Sequence, residues 1–102
     1  MADMARIPIA CTLTVEEQPT RVAEWRTLVA RATGRRRDER GVELSFPPDL
    51  GAAVADLASR EKDCCGFFEF AVTTGADAVV LSISAPAEAG PLVDAFYDMA
   101  PA

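Results

Sequence analysis

The sequence predicts an α+β domain in which a four-stranded mixed sheet carries three helices, mainly on one face. In four short segments, apolar residues recur at every second position, as in strands with one buried face. In three longer segments they recur at three- and four-residue steps, as in amphipathic helices. The predicted order is strand, helix, strand, helix, strand, strand, helix. Helices packed on one face of such a sheet would bury every apolar stripe.

The first half of the chain predicts two strands and one helix. Residues 7–13 alternate through Ile7, Ile9, Cys11 and Leu13, which places Cys11 on the buried face of the first strand. Pro19 suits the first turn of a helix, and Gly34 is its predicted stop. The apolar stripe of this helix consists of Val22, Trp25, Leu28, Val29 and Ala32. Residues 42–46 alternate again and predict the second strand.

The second half predicts a helix, a hairpin and a last helix. Asp49 suits the N-cap of the second helix, and Gly66 suits its C-terminal glycine. The stripe of this helix consists of Leu50, Val54, Leu57, Glu61 and Cys64. Residues 68–72 and 79–83 predict two strands joined by a turn at 74–77. Pro86 opens the last helix, with apolar residues Leu92, Val93, Phe96, Tyr97 and Met99.

The sheet face away from the helices is predicted to be polar. It would carry Thr12, Glu43, Ser45, Glu69, Ser82 and Ser84. Such a face either meets solvent or forms the interface of a homodimer.

Size and charge narrow the class of protein. A chain of 102 residues, half of them apolar, fits one folded domain spanning residues 1–102. A net charge of −6 argues against nucleic acid as a partner. The basic run Arg35-Arg36-Arg37 with Arg40 is interrupted by Asp38 and Glu39, and is predicted to be a solvated loop rather than a phosphate or partner patch.

Neither a membrane span nor a signal peptide is predicted. No apolar run approaches the roughly 20 residues that a bilayer requires. The first residues lack the basic start and long apolar stretch of a signal peptide. We therefore expect a cytoplasmic protein, where thiols stay reduced and an odd count of three cysteines argues against a disulfide framework.

The cysteines are the residues that point to chemistry, because the chain contains no histidine. Cysteine often packs as a small apolar residue, so inert core cysteines are one interpretation. Cys64 and Cys65 are adjacent, however, and neighbouring helical side chains diverge by about 100°. Cys64 and Cys65 therefore cannot both face one core stripe. Two adjacent thiols at the end of a helix favour a functional site, which would be formed by Cys11, Cys64 and Cys65.

Three thiols favour a soft ion. Closed zinc sites require four ligands, so zinc needs a fourth from Glu61, water or a second subunit, whereas copper(I) suits thiolates. Mercury(II) and arsenic(III) accept two or three sulfurs. The absence of any Cys-x-x-Cys pair excludes zinc-ribbon and thioredoxin sites.

The surroundings of the adjacent thiols give mixed signals. A helix C-terminus disfavours the thiolate, and Lys62 and Arg60 would offset this in part. A soft ion displaces the thiol protons by itself. Glu61, three residues before Cys64, is either a surface carboxylate in a local ion pair or a proton donor or oxygen ligand beside the thiols.

Two motifs carry a family resemblance. Ala10-Cys11-Thr12-Leu13, followed by Ala58-Ser59-Arg60-Glu61-Lys62-Asp63-Cys64-Cys65-Gly66-Phe67-Phe68-Glu69-Phe70, resembles small, poorly characterised bacterial proteins, some with heavy-metal or arsenic-related names. A phosphatase-like arsenate reductase would need a Cys-x5-Arg loop, which this chain lacks.

A more distant resemblance is to organomercurial (alkylmercury) lyase. Cys11-Thr12-Leu13-Thr14 is similar to its aromatic-Cys-Ala-Leu-Asp segment, and Cys64-Cys65-Gly66-Phe67-Phe68 to its later Cys-Cys segment. The resemblance implies carbon–mercury cleavage by Cys11 and Cys64. Thr14 replaces the aspartate, and its hydroxyl is too weak an acid to protonate a leaving carbon, so Glu61 would have to replace that acid.

The leading hypothesis is capture of a soft metal or metalloid ion, mercury(II) above all, by Cys11, Cys64 and Cys65. Arsenic(III), copper(I) and zinc are the other candidate ions. One alternative is a lyase-like or thiol-redox enzyme with Cys11, Cys64 and Glu61 as catalytic residues. Another is a structural or interaction module with inert cysteines.

Overall fold

The computed structural model describes residues 17–64, 66 and 68–101, with residues 17, 18 and 64 described by their backbone alone. The elements are α1 (Glu17–Val29), β1 (Gly34–Asp38), β2 (Gly41–Phe46), α2 (Gly51–Cys64), β3 (Glu69–Thr74), β4 (Val79–Ser84) and α3 (Gly90–Met99). Short 3-10 turns, Pro48–Leu50 and Ala87–Ala89, lead into α2 and α3. The predicted α+β class, with one four-stranded sheet and three helices, is confirmed.

The four described strands form one sheet in the order β1-β2-β4-β3. All three pairings are antiparallel, with Leu44 opposite Leu81 in the centre and Phe70 opposite Ile83 towards β3. The sequence predicted a mixed sheet, and for these four strands that prediction is wrong, because every pairing between them is antiparallel. Two hairpins and an antiparallel β2–β4 pairing account for the difference. The strand predicted at 7–13 lies outside the described residues.

The basic run was predicted to be a loop, and this prediction is wrong. Residues 34–38 form strand β1, which pairs with β2 through a tight turn at 39–40. Asp38 Oδ1 accepts the amides of Arg40 and Gly41, at 2.8 and 3.2 Å. By accepting these amides, the aspartate side chain stabilises the tight turn in which the chain reverses direction between β1 and β2. Gly34, predicted to end α1, instead begins β1.

The Asp38 turn has a definite pH dependence. The hydrogen bond from the Arg40 amide is the main cause that holds the pKa of Asp38 below its ordinary value. A carboxylate with a lowered pKa stabilises the folded state above its unfolded pKa, and that contribution is lost as the pH falls through the lowered value. The Asp38 carboxylate therefore makes its full contribution to the stability of the turn at neutral pH.

Arginines of β1 bind the last helix. Arg35 and Arg37 lie over the ring of Tyr97, with guanidinium carbons 4.1 and 4.5 Å from its centroid. Arg35 also donates to the Tyr97 carbonyl at 2.9 Å. Arg36 points to the opposite face, where it pairs with Glu43. These contacts explain why a strand rich in arginine is stable at the edge of this sheet.

The core lies between the sheet and the three helices. Alternate residues of β2 and β4 are buried, while their neighbours are half-buried. The largest fully buried side chains are Phe46, Leu44, Leu81, Ile83, Val29, Val42, Val54 and Val79. The opposite face carries Glu43, Ser45, Glu69, Ser82 and Ser84, as predicted; Thr12 lies outside the described residues. Within the described ranges, no helix has the length and apolar character that a membrane span requires.

Gly41, at the start of β2 in the first hairpin, leaves no room for a side chain. Its φ is +153°, and a Cβ there would collide with the carbonyl oxygen of Ile83. We expect Gly41→Ala to lower the free energy of unfolding by about 2 kcal/mol or more, measured by urea denaturation followed by circular dichroism. Gly34→Ala is the matched control, because a Cβ there meets nothing closer than 3.9 Å. Equal effects of the two substitutions would contradict this account of the hairpin.

Candidate functional site: the connection between α2 and β3

The adjacent cysteines fall at the connection between α2 and β3. Cys64 is the last residue of α2, Gly66 lies in a turn, and β3 begins at Glu69. Phe68, just before the strand, is 4% exposed and belongs to the core. The chain is thus anchored on both sides of the cysteine pair, by the helix before it and by a buried aromatic residue after it.

Lys62 closes this connection. Its ammonium donates to the carbonyl oxygens of Gly66 and Phe68, at 3.2 and 2.8 Å, and pairs with Glu69 at 3.3 Å. Carbonyl groups at a helix C-terminus carry a partial negative charge, and a lysine there is favourable. Lys62 therefore stabilises the turn and brings a positive charge to the end of the helix that carries Cys64.

Arg60, the other basic residue that the sequence offers, turns elsewhere. Its guanidinium binds Asp56 at 3.0 Å and Glu24 at 3.1 Å. The hydrogen bond to Glu24 is the main cause that raises the pKa of Arg60. The contact with Glu24 links α2 to α1, whereas Asp56 lies on α2 itself. Of the two predicted cations, Lys62 is therefore the one that contacts the turn.

Glu61 is a buried residue. Only 7% of it is exposed, and its Oε1 accepts from the indole Nε1 of Trp25 and from the guanidinium of Arg21, both at 3.0 Å. The interpretation of Glu61 as a surface carboxylate is therefore wrong. Its position on the apolar stripe of α2 was the available signal, together with a buried indole that needs an acceptor. Its role as a proton donor or oxygen ligand stays a prediction.

A cluster of aromatic rings in mutual contact includes Phe68, at the end of the connection, and Phe70, in β3. Trp25 stacks on Phe70 with ring centroids 5.9 Å apart and meets Phe96 edge-on at 4.8 Å. Phe68 meets Phe96 at 5.5 Å in a similar edge-on geometry. Phe68, predicted to be the first residue of the third strand, instead precedes β3, and its side chain is buried in the core. Phe67 lies outside the described residues.

The convergence of the three thiols stays a prediction. Cys11, Thr14 and Cys65 lie outside the described residues, and Cys64 is described by its backbone alone. Among the side chains that are described, no group of three or more His, Cys, Asp or Glu residues is arranged to hold a metal ion. That set contains none of the three cysteine sulfurs. What the structure contributes is the backbone and the surroundings of the Cys64 end of α2.

No protein-family model, curated protein or solved structure matches this chain. The resemblance to small Cys-Cys-x-Phe-Phe proteins and to organomercurial lyase thus stays a prediction from the motifs.

Replacing the buried carboxylate tests its structural weight. Glu61→Gln keeps the shape and one acceptor for Trp25 but removes the charge that binds Arg21. Hydrogen bonds to a charged group contribute about 1.5–3 kcal/mol, so we expect a loss of this order in the free energy of unfolding. Urea denaturation followed by circular dichroism measures it.

Glu43→Gln is the matched control for this substitution. Glu43 also pairs with an arginine, but the Arg36 side chain is 68% exposed, compared with 12% for Arg21. Exposed pairs contribute at most about 1 kcal/mol. A control loss as large as that of Glu61→Gln would show that burial adds nothing to the pair at Glu61.

Proposed function

We propose that this protein captures a soft metal or metalloid ion, with mercury(II) as the leading candidate, through the thiolates of Cys11, Cys64 and Cys65. The observation that supports the proposal most directly is the closed connection between α2 and β3. Lys62 binds its carbonyl groups, and Phe68 anchors its far end in the core. Two adjacent thiols carried on such a connection have less conformational freedom to lose when an ion binds.

The charge at the connection favours the same function. Thiolates, rather than thiols, are the ligands of soft metals, and a neighbouring cation favours the thiolate. The ammonium of Lys62 binds the Gly66 carbonyl at this point, and the part of its charge that the pair with Glu69 leaves would oppose the unfavourable field of the helix C-terminus. An ion that binds sulfur strongly completes the deprotonation, since its binding releases the remaining protons.

The surroundings favour mercury(II) or arsenic(III) over zinc. A closed zinc site needs a fourth ligand besides three thiolates. Glu61, on the apolar stripe of α2 three residues before Cys64, is the carboxylate that could serve as this fourth ligand. Its Oε1 already accepts two hydrogen bonds, from Trp25 and Arg21. Recruiting Glu61 to a metal would weaken contacts that join α1 to α2. Ions satisfied by two or three sulfurs carry no such cost.

The second candidate is an enzyme with Cys11, Cys64 and Glu61 as catalytic residues, either lyase-like or thiol-redox. The observation in its favour is a buried carboxylate one helical turn before Cys64. A lyase needs an acid that delivers a proton to the leaving carbon. Glu61 Oε1 is engaged as an acceptor from two donors, which suits a structural ion pair better than proton delivery. Ion capture is therefore the first proposal.

Native mass spectrometry of the reduced protein tests ion capture. In titrations with mercury(II), arsenite, copper(I) and zinc, we expect one mercury(II) ion per chain and the weakest retention for zinc. Cys11→Ser, Cys64→Ser and Cys65→Ser should each weaken mercury(II) retention against a competing thiol, by more than about tenfold. Ser59→Ala is the control, because it alters the same helix without removing a sulfur.

The outcomes of this titration separate the alternatives. Wild-type retention of mercury(II) no stronger than that of a triple Cys→Ser variant would refute capture and favour inert cysteines. Unchanged retention in Cys11→Ser would reduce the site to the adjacent pair. Release of methane or benzene from an organomercurial, detected by gas chromatography and lost in Glu61→Gln, would establish the enzyme instead.

The charge of Lys62 is tested by the alkylation rate of the adjacent thiols. We expect Lys62→Met to slow iodoacetamide labelling of Cys64 and Cys65 at pH 7, by up to about tenfold, because a neighbouring cation favours the reactive thiolate. Peptide mass spectrometry identifies the labelled cysteine. Arg60→Met removes an equal charge from the same helix, but Arg60 binds Glu24 and Asp56, so its labelling rate should stay near wild type. Equal slowing in both variants would assign the effect to net charge rather than to contact with the turn.

A further inference from the structure

Within the part of the chain that the structure describes, strand β3 has one unpaired edge with a groove beside it. Among the described strands, β3 ends the sheet on the side opposite β1. A groove of about 250 Å³ opens along this edge, between α2 and β3. Its lining includes Ala55, Ala58, Ser59, Lys62, Phe70 and Val72. Phe70 is half-buried and Val72 is 36% exposed, although both belong to the helix-covered side of the sheet.

The two edges of the described sheet differ in their protection. Proteins blunt exposed edge strands with charged residues, since an unprotected edge pairs with other strands. Edge strand β1 carries three consecutive arginines, Arg35 to Arg37. Edge strand β3 has the sequence Glu-Phe-Ala-Val-Thr-Thr, which has one charge at its first residue and strong strand formers after it. The β3 edge thus has the composition of a strand that is covered.

The segment 7–13 has the pattern that would fill this groove. In the sequence, apolar residues recur at every second position, the pattern expected of a strand with one apolar face: Ile7, Ile9, Cys11 and Leu13. A seven-residue strand spans about 23 Å and the six residues of β3 about 20 Å, so their lengths match. A strand added at the β3 edge would bury this apolar face against Phe70, Val72 and the alanines of α2.

The described start of α1 limits how far from it a segment ending at residue 13 can lie. Arg21 binds Glu61 and Glu24 binds Arg60, so α1 begins beside the last turns of α2, where the chain continues into β3. Residues 14–16 connect position 13 to position 17 and reach at most about 14 Å. A strand that leaves this point along the β3 edge runs antiparallel to β3.

We propose that the edge of β3 is the docking site of residues 7–13, which add to the sheet as a fifth, antiparallel strand. Pro8 sets its register, because proline lacks an amide hydrogen and must point away from β3. Residues 9, 11 and 13 then bond to β3, and Pro8 blunts the new outer edge. This inference does not depend on ion binding, although it would bring Cys11 to the sheet edge that begins beside the cysteine turn.

Nuclear magnetic resonance of the reduced full-length protein tests this docking without any metal. We expect cross-strand proton contacts between residues 7–13 and 69–74, and slow amide exchange at every position of β3 rather than at alternate positions. Ile9→Pro removes one bonding amide, so the β3 amides facing the segment should exchange at least about tenfold faster. Ala10→Pro is the matched control: its amide points outward like position 8, so exchange should stay within about twofold of wild type.

Three outcomes would overturn the proposal. One is the absence of cross-strand contacts in the wild-type protein, whatever the variants do. Another is free exchange at alternate positions of β3. The third is protection that rises with protein concentration alongside a dimeric mass, since a second copy of the chain would then occupy the edge. Ion binding that fails while the cross-strand contacts are present would refute the proposed function and leave the fifth strand intact.

Discussion

The packing of α1 on the end of α2 depends on the buried carboxylate of Glu61. A charged group with 7% of its surface exposed is costly unless its partners are fixed, and here an indole and a guanidinium of α1 supply them. Because those partners lie on Trp25 and Arg21, the contact sets how α1 crosses the end of α2. The position of that end in turn sets where the chain leaves for β3. One carboxylate thus connects the helix layer to the connection that carries the cysteines.

The parts of the fold that depend on regular apolar alternation were predictable. Strands β2 and β4 bury alternate residues as their sequences indicate. The β3–β4 connection, closed by a hydrogen bond from the Gly75 amide to the Ala78 carbonyl, overlaps the turn predicted at 74–77. Strand β1 was missed because its stability comes from outside the segment. Tyr97 provides the surface on which Arg35 and Arg37 pack, and this ring is far away in sequence. A run of arginines read alone shows only its charge.

The candidate site also has features that the sequence predicts and features that it does not. The sequence correctly predicts that α2 ends at the cysteines and that its stripe includes Glu61, because both follow from helical spacing. It does not indicate which cation contacts the turn. Arg60 and Lys62 are two residues apart and therefore point in different directions, so their partners depend on the packing of α1 and on the path into β3. Such choices are made by tertiary contacts, and composition does not encode them.

Trp25 is the only tryptophan among 102 residues, and it lies between Phe70 and Phe96 while donating to Glu61. Fluorescence excited selectively at tryptophan therefore originates at a single buried indole with known neighbours. Its wavelength and intensity report on the polarity around the junction of both helices, and a heavy atom arriving nearby would quench it. The chain carries an intrinsic optical probe at the place where its chemistry is expected.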